Sequence, residues 1–127
     1  MASVRWVRQL VVMRRTSQWH PATDAYETPD RFTVIVELPG MRSGDFSVNL
    51  TDQRLIIVGK RERPSEDAPT AYHQLEVQYG EFRVEVLIPF LVEREQITAV
   101  YEDGFLRVDL PRRRSQSHAI QVIRAED

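Results

Sequence analysis

Ala99-Val100-Tyr101-Glu102-Asp103-Gly104-Phe105-Leu106-Arg107-Val108-Asp109-Leu110-Pro111 reads as a strand, a tight turn and a second strand. Asp103-Gly104 supplies the positive φ that a short turn needs at little steric cost. Beyond the turn, Leu106, Val108 and Leu110 alternate with Arg107 and Asp109, so one face is apolar and the other charged. Pro111 has no N–H to give to a ladder and marks the strand's end. A hairpin of this kind, apolar on one face only, has to lie against a second apolar layer.

The segments upstream supply that layer. Ala22 to Thr28 reads as a short edge strand ended by Pro29-Asp30. Arg31 to Leu38 sets Phe32, Val34, Val36 and Leu38 against Arg31, Thr33 and Glu37, with Ile35 the exception, and stops at Pro39-Gly40. Asp45 to Thr51 sets Phe46, Val48 and Leu50 against Ser47 and Asn49. After a turn at Thr51-Asp52-Gln53, Leu55 to Val58 is a continuous apolar run, the pattern of a strand covered on both faces. Glu81 to Ile88 alternates again, and Pro89 ends it. Lys60 to Ala71 is a polar loop, long for so small a domain, and Tyr72 to Gln78 can form a strand within or just after it. Eight or nine strands without a convincing helix, spaced by turn residues, predict an antiparallel β-sandwich.

Composition limits what such a sandwich can do. The chain has 127 residues, enough for one core and its arms. A formal net charge of −2 gives no global attraction to nucleic acid or anionic membrane. Cysteine is absent, which excludes disulfides, thiolate metal sites and cysteine nucleophiles and fits a reducing compartment. No apolar run is long enough to span a bilayer. Cytoplasmic localisation without stable membrane insertion is the expectation. His20, His73 and His118 sit in separate segments without metal-ligand spacing, and no glycine-rich phosphate loop precedes a helix. No cofactor, metal or catalytic group is predicted, and the carboxylates on alternating strands read as a solvated face.

Two arms flank the predicted sandwich. Residues 1 to 20 carry Arg5, Arg8, Arg14 and Arg15 and no acid. On a helical wheel Val4, Trp6, Val7, Leu10 and Val11 share one side, with Arg14 intruding on it. A cleaved organellar presequence, a membrane-surface helix and an arm that buries its apolar side against other subunits all fit, and the arm is preferred. After Pro111, Arg112 to His118 is a polar stretch unable to fold alone. Arg112 to Arg114 read as a solubilising linker in preference to a phosphate contact, because no aromatic stacking platform accompanies them. Then Ala119-Ile120-Gln121-Val122-Ile123 places apolar residues at period two on a tail, suited to a groove or a sheet edge.

Along the chain stand, in order, Trp19-His20-Pro21 with Asp24 and Glu27, Glu37-Leu38-Pro39-Gly40, and Leu55-Ile56-Ile57-Val58-Gly59-Lys60-Arg61. Tyr72-His73, Glu76, Tyr79-Gly80-Glu81-Phe82, Ile88-Pro89, Ile97 and the Ala99 to Leu106 hairpin continue the series. Across residues 19 to 123 the sequence resembles a small heat-shock protein of bacterial type. The resemblance implies an immunoglobulin-like antiparallel β-sandwich, the α-crystallin domain, at residues 21–111, with flexible arms at 1–20 and 112–127. It also implies a homodimer building block and higher homo-oligomers. In the dimer, Tyr72, His73, Gln74, Leu75, Glu76, Val77 and Gln78 would pair with Ala22, Thr23, Asp24, Ala25, Tyr26 and Glu27 of a partner. Ile120 and Val122 would anchor in a groove formed by Phe46, Val48, Leu50, Ile97 and Ala99. One departure stands out: the family often carries arginine where this chain has Val84, and Arg83 lies one step earlier, on the opposite strand face.

The function so implied is an ATP-independent holdase, with unfolding proteins as partners and Val4, Trp6, Val7, Leu10 and Val11 as the client-binding arm. Two alternatives stand beside it. One is a scaffold or co-chaperone on the same sandwich without holdase activity. The other is an arginine-tail nucleic-acid binder, although nucleic acid is not an expected partner.

Overall fold

A computed structural model describes residues 19–114 and 119–125. Seven strands are present among them: β1 (Thr23–Glu27), β2 (Arg31–Glu37), β3 (Phe46–Thr51), β4 (Arg54–Arg61), β5 (Gly80–Leu87), β6 (Thr98–Glu102) and β7 (Phe105–Pro111). Three-residue 3₁₀ turns at Ser43–Asp45 and Arg94–Gln96 precede β3 and β6. All pairing between the strands is antiparallel, in a four-stranded sheet ordered β1-β2-β7-β6 and a three-stranded sheet ordered β3-β4-β5. The chain is thus an antiparallel β-sandwich, as its alternation predicts.

The hairpin that organises the sequence forms as expected. Asp103 and Gly104 both have positive φ, 52° and 82°, which matches the twist of the flanking strands. The apolar set of β7 lies opposite that of β2: Leu110 faces Phe32, Val108 faces Val34 and Leu106 faces Val36, and all six are buried. From the second sheet Leu55, Ile57, Phe82, Val84 and Ile88 close the same core. Val84 points inward and Arg83 outward, where it approaches Glu85 at 3.5 Å. The step of one residue does change the face.

Tyr101 ties the crossing between sheets. Its hydroxyl donates to the Leu38 carbonyl at 2.5 Å and accepts from the Met41 N–H at 3.3 Å, just where the chain leaves β2 for β3. At Gly59 a close approach excludes any side chain. A Cβ there would lie 2.6 Å from the Asp45 carbonyl oxygen, 2.7 Å from Phe82 and 2.8 Å from Phe46. Gly59 is paired with both aromatics, Phe46 on one side and Phe82 on the other, and their rings take the space a side chain would fill.

Three sequence expectations are revised. Tyr72 to Gln78 forms no strand; every residue of the segment is exposed, and none pairs with a strand edge among the described residues. Ile56 and Val58 are only half-buried, while Leu55 and Ile57 are buried, because no described layer covers the outer face of β4. Thr33, placed by alternation on a polar face, is fully buried there. Its hydroxyl donates to Asp109 Oδ1 at 2.7 Å and accepts from Arg31 Nε at 3.2 Å. Arg31 and Arg107 approach the same carboxylate at 3.4 and 2.9 Å.

Partial burial pushes the Asp109 carboxyl up, but hydrogen bonds from Arg107 and Thr33 and the charges of Arg107 and Arg31 outweigh it. The group is therefore held below its usual range. The hydrogen bond to Asp109, then its charge, raise Arg107 in turn.

Gly59→Ala should destabilise the sandwich by about 1–3 kcal/mol, the usual range for overpacking, as measured by urea unfolding; an unchanged midpoint would mean that β3 and β5 give way freely. A carboxylate held below its unfolded value of about 3.9 contributes stability that is complete above that pH and is lost as pH falls through the folded value. Asp109→Asn should therefore be less stable than the parent at pH 7 and 5, with the deficit closing below about pH 4. A deficit equal at pH 7 and pH 3 would show that the charge has no part in it.

Candidate functional site

The two sheets leave their edges open, and the surfaces singled out in the sequence lie along them. β3 is an edge of one sheet and β6 an edge of the other. Phe46, Val48 and Leu50 alternate along β3 as half-buried residues against the core, and Ile97 and Tyr101 do the same at β6. Ala99, between them, is exposed and adds no bulk to the seam.

The two edges run in opposite directions. The Phe46 and Tyr101 rings meet at 5.4 Å, tilted by 59°, at one end. At the other, Arg94 donates from Nη1 to the Leu50 carbonyl at 3.3 Å and from Nη2 to that of Asp52 at 2.8 Å. A cavity of about 240 Å³ opens there, walled by Leu50, Ile88, Phe90 and Arg94 among others. Between these two contacts Phe46, Val48 and Leu50 on one side and Ile97 on the other are half-buried apolar side chains. Phe46, Val48 and Leu50 thus lie along one sheet edge and Ile97 and Ala99 along the other, with the Phe46–Tyr101 ring contact between them. Tyr101 and Arg94 were missed. Period two from Ile97 and Ala99 points to Tyr101; nothing local points to Arg94.

Along the far edge of the four-stranded sheet, β1 has no strand on its outer side among the described residues. Asp24, Ala25, Tyr26 and Glu27 are all exposed on it. Tyr72, His73, Gln74, Leu75, Glu76, Val77 and Gln78 lie on the loop between β4 and β5, not beside β1. Leu75 and Val77 project apolar side chains 55% and 60% exposed.

On the tail, Ile120 and Val122 are 86% and 90% exposed, away from the groove of their own chain. Val4, Trp6, Val7, Leu10 and Val11 lie outside the described residues.

The linker reading of Arg112 to Arg114 is corrected. Arg112 stacks 3.9 Å over the Phe90 ring and pairs with Glu27 at 3.2 Å. Arg113 pairs with Glu93 at 3.6 Å and Arg114 with Asp30 at 3.8 Å. Backbone bonds from Arg112 to Asp30 and from Arg113 to Leu91 hold the segment to the sandwich. These are mostly exposed ion pairs of small individual worth, but each guanidinium already has a carboxylate. Among the described residues no group of three or more His, Asp or Glu is placed to hold a metal, and no helix is long and apolar enough to cross a membrane.

The described residues form a two-sheet sandwich with apolar side chains along the β3 and β6 edges, an open β1 edge and an exposed apolar tail. Residues 24–124 match the model of the Hsp20/alpha crystallin family. The chain is 33% identical over 93 residues to small heat shock protein C2 of Rickettsia felis, covering 73% of this chain and 60% of that protein. It is 30% identical over 102 residues to a probable 15 kDa heat shock protein of Leptospira interrogans, covering 80% and 77%. Among solved structures, heat shock protein 16.0 from Schizosaccharomyces pombe matches with a TM-score of 0.69 at 30% identity, over 84% of this chain and 99% of that one. A small heat-shock protein from Xylella fastidiosa matches with a TM-score of 0.72 at 30% identity, over the same shares.

The chain belongs to the Hsp20/alpha crystallin family, and its sandwich is an α-crystallin domain. Members of the family are small heat-shock proteins, ATP-independent chaperones rather than enzymes. The chain spans about three fifths of the length of small heat shock proteins C2 and C4 of Rickettsia felis, 60% and 62%.

Proposed function

We propose that this protein is a holdase: it binds unfolding proteins through apolar surface and suppresses their aggregation without ATP. The supporting observation is a pair of apolar surfaces, neither of them fully covered by the described residues. One is the β3–β6 seam of Phe46, Val48, Leu50 and Ile97. The other is the tail, with Ile120 and Val122 almost fully exposed. Seating the tail of one subunit in the seam of another hides both. Two aliphatic side chains give at most about 3–6 kcal/mol by buried area, before the costs of association and ordering. A contact of that strength opens and closes readily, which suits a surface that has to be concealed at rest and released under stress.

Self-association in this proposal has two levels. Tyr72–Gln78 of one subunit adds to the outer edge of β1, residues Ala22–Glu27, in another, and two-fold symmetry repeats the exchange. The unpaired backbone on both sides favours it. Tails in seams then join dimers into larger particles. The client-binding arm in this proposal is residues 1–18, since Trp19 is buried against Phe82 in the core; 21–111 act as the domain and 112–127 as the tail, and the setting is the cytoplasm. The carboxylate partners of Arg112, Arg113 and Arg114 weigh against a nucleic-acid role.

Protein at substoichiometric to equimolar ratio should suppress light scattering from a heat-labile client, with ATP making no difference. Scattering unchanged at several-fold excess would refute the holdase and leave a scaffold. Replacing Ile120 and Val122 by glycine should lower particle mass in light scattering while the far-UV β signature stays the same. Unaltered mass would remove the tail from the assembly.

A further inference from the structure

A continuous stack of rings and guanidinium groups runs from the core out to the loop. Phe82, buried at 2% exposure, meets Trp19 edge-on with centroids 5.5 Å apart. Arg61 lies 4.3 Å over the Trp19 ring and 5.3 Å from that of Tyr79. Arg63 lies 4.6 Å over Tyr79 and 5.9 Å from Tyr72. Residues 61 and 63 are two apart on an extended chain and so share a face. Backbone pairing between β4 and β5 ends at Arg61–Gly80, and the stack continues by side chains where the ladder stops.

The same guanidinium groups grip the returning limb of the loop. Arg61 donates from Nε to the Gln78 carbonyl at 3.1 Å and again from Nη2, and from Nη1 to the Pro39 carbonyl at 3.0 Å. Arg63 Nη2 donates to the Val77 carbonyl at 3.3 Å. Trp19 Nε1 donates to the Gly80 carbonyl at 2.8 Å, which fixes the inner end. The stretch from Tyr72 to Gln78 is therefore held at both ends, by Tyr72 on Arg63 and by the carbonyls of Val77 and Gln78, with Leu75 exposed between them.

We propose that the Trp19–Arg61–Tyr79–Arg63–Tyr72 stack positions this segment for pairing with the β1 edge of a second copy and thereby sets the affinity of the dimer. The inference rests on the strand exchange proposed above. A free segment loses backbone entropy at every residue when it is ordered; one already held at its ends loses less on binding and binds more tightly. Arg63 is the rung to remove, because it is exposed and touches two rings and one carbonyl without touching the core. Lysine keeps the charge there but not the flat stacking surface.

The test uses the full chain with Ile120 and Val122 replaced by glycine, so that the dimer step is read alone by sedimentation over a dilution series. Arg63→Gln should raise the dimer dissociation constant about tenfold, the scale of two exposed cation–π contacts. Arg63→Lys should fall between, and both should keep the parent's melting temperature when all are diluted to where the monomer dominates. A dissociation constant within twofold of the parent for Arg63→Gln overturns the proposal, as does a monomer melting temperature that falls with the substitution. Deleting Thr70–Gln78 and bridging with glycines separates the two ideas. A folded monomer upholds strand exchange whatever Arg63 does, and a deletion variant that remains dimeric overturns strand exchange and the stack's role together.

Discussion

The pairing of β2 with β7 is the constraint from which the rest of the sandwich follows. It joins Phe32, Val34 and Val36 to Leu110, Val108 and Leu106, all buried, and forms the centre of the four-stranded sheet. β1 hangs from one side of this pair and β6 from the other, so the open β1 edge and one wall of the apolar seam are both placed by it. A slip of one residue would turn the apolar set outward. On the outer face the part-buried Thr33–Asp109 hydrogen bond, with Arg31 and Arg107 around it, opposes that slip. The register is thus specified from both sides of the sheet, by apolar burial within and by directed polar bonds without.

Wherever local periodicity governs burial, the fold was legible in the sequence. Phe32, Val34, Val36 and Leu38 alternate and are buried; Asp103-Gly104 announces a turn and adopts one. Reading failed where burial depends on what lies across space. Thr33 looks like any exposed strand threonine until Asp109, 76 residues away, is set beside it. Ile56 and Val58 look like core, but no described layer lies over them. Arg112 looks like linker because its partners, Phe90 and Glu27, are remote in the chain. Tyr72–Gln78 has strand-like sequence and no strand, since a strand is defined by its neighbour.

The candidate site divides in the same way. Family resemblance grouped Phe46, Val48 and Leu50 with Ile97 and Ala99, and the structure sets the first three on the edge of one sheet and the other two at the edge of the second. Of the two features that bound the seam, Tyr101 was within reach of the period-two pattern and Arg94 was not legible. Tyr101 acts through a ring contact with Phe46 and hydrogen bonds to the Leu38–Met41 crossing. Arg94 acts through the Leu50 and Asp52 carbonyls, backbone atoms that no side-chain pattern reveals. A surface made of edges is written in the contacts that hold those edges apart.

The order of the strands also sets a timetable for the chain's own synthesis. β3, β4 and β5 are consecutive neighbours and can meet as soon as they emerge, and β1 can meet β2. β2 cannot complete its sheet until β7 exists, since each pair in that ladder joins the beginning of the domain to its end. Contacts so distant in sequence form late, after the closure entropy of the intervening chain has been overcome. Throughout that interval the inner faces of both sheets, Val34 and Val36 on one and Leu55 and Ile57 on the other, lack their final cover. Each nascent copy thus passes through the condition of an aggregation-prone chain, with uncovered strands of the kind a holdase would bind.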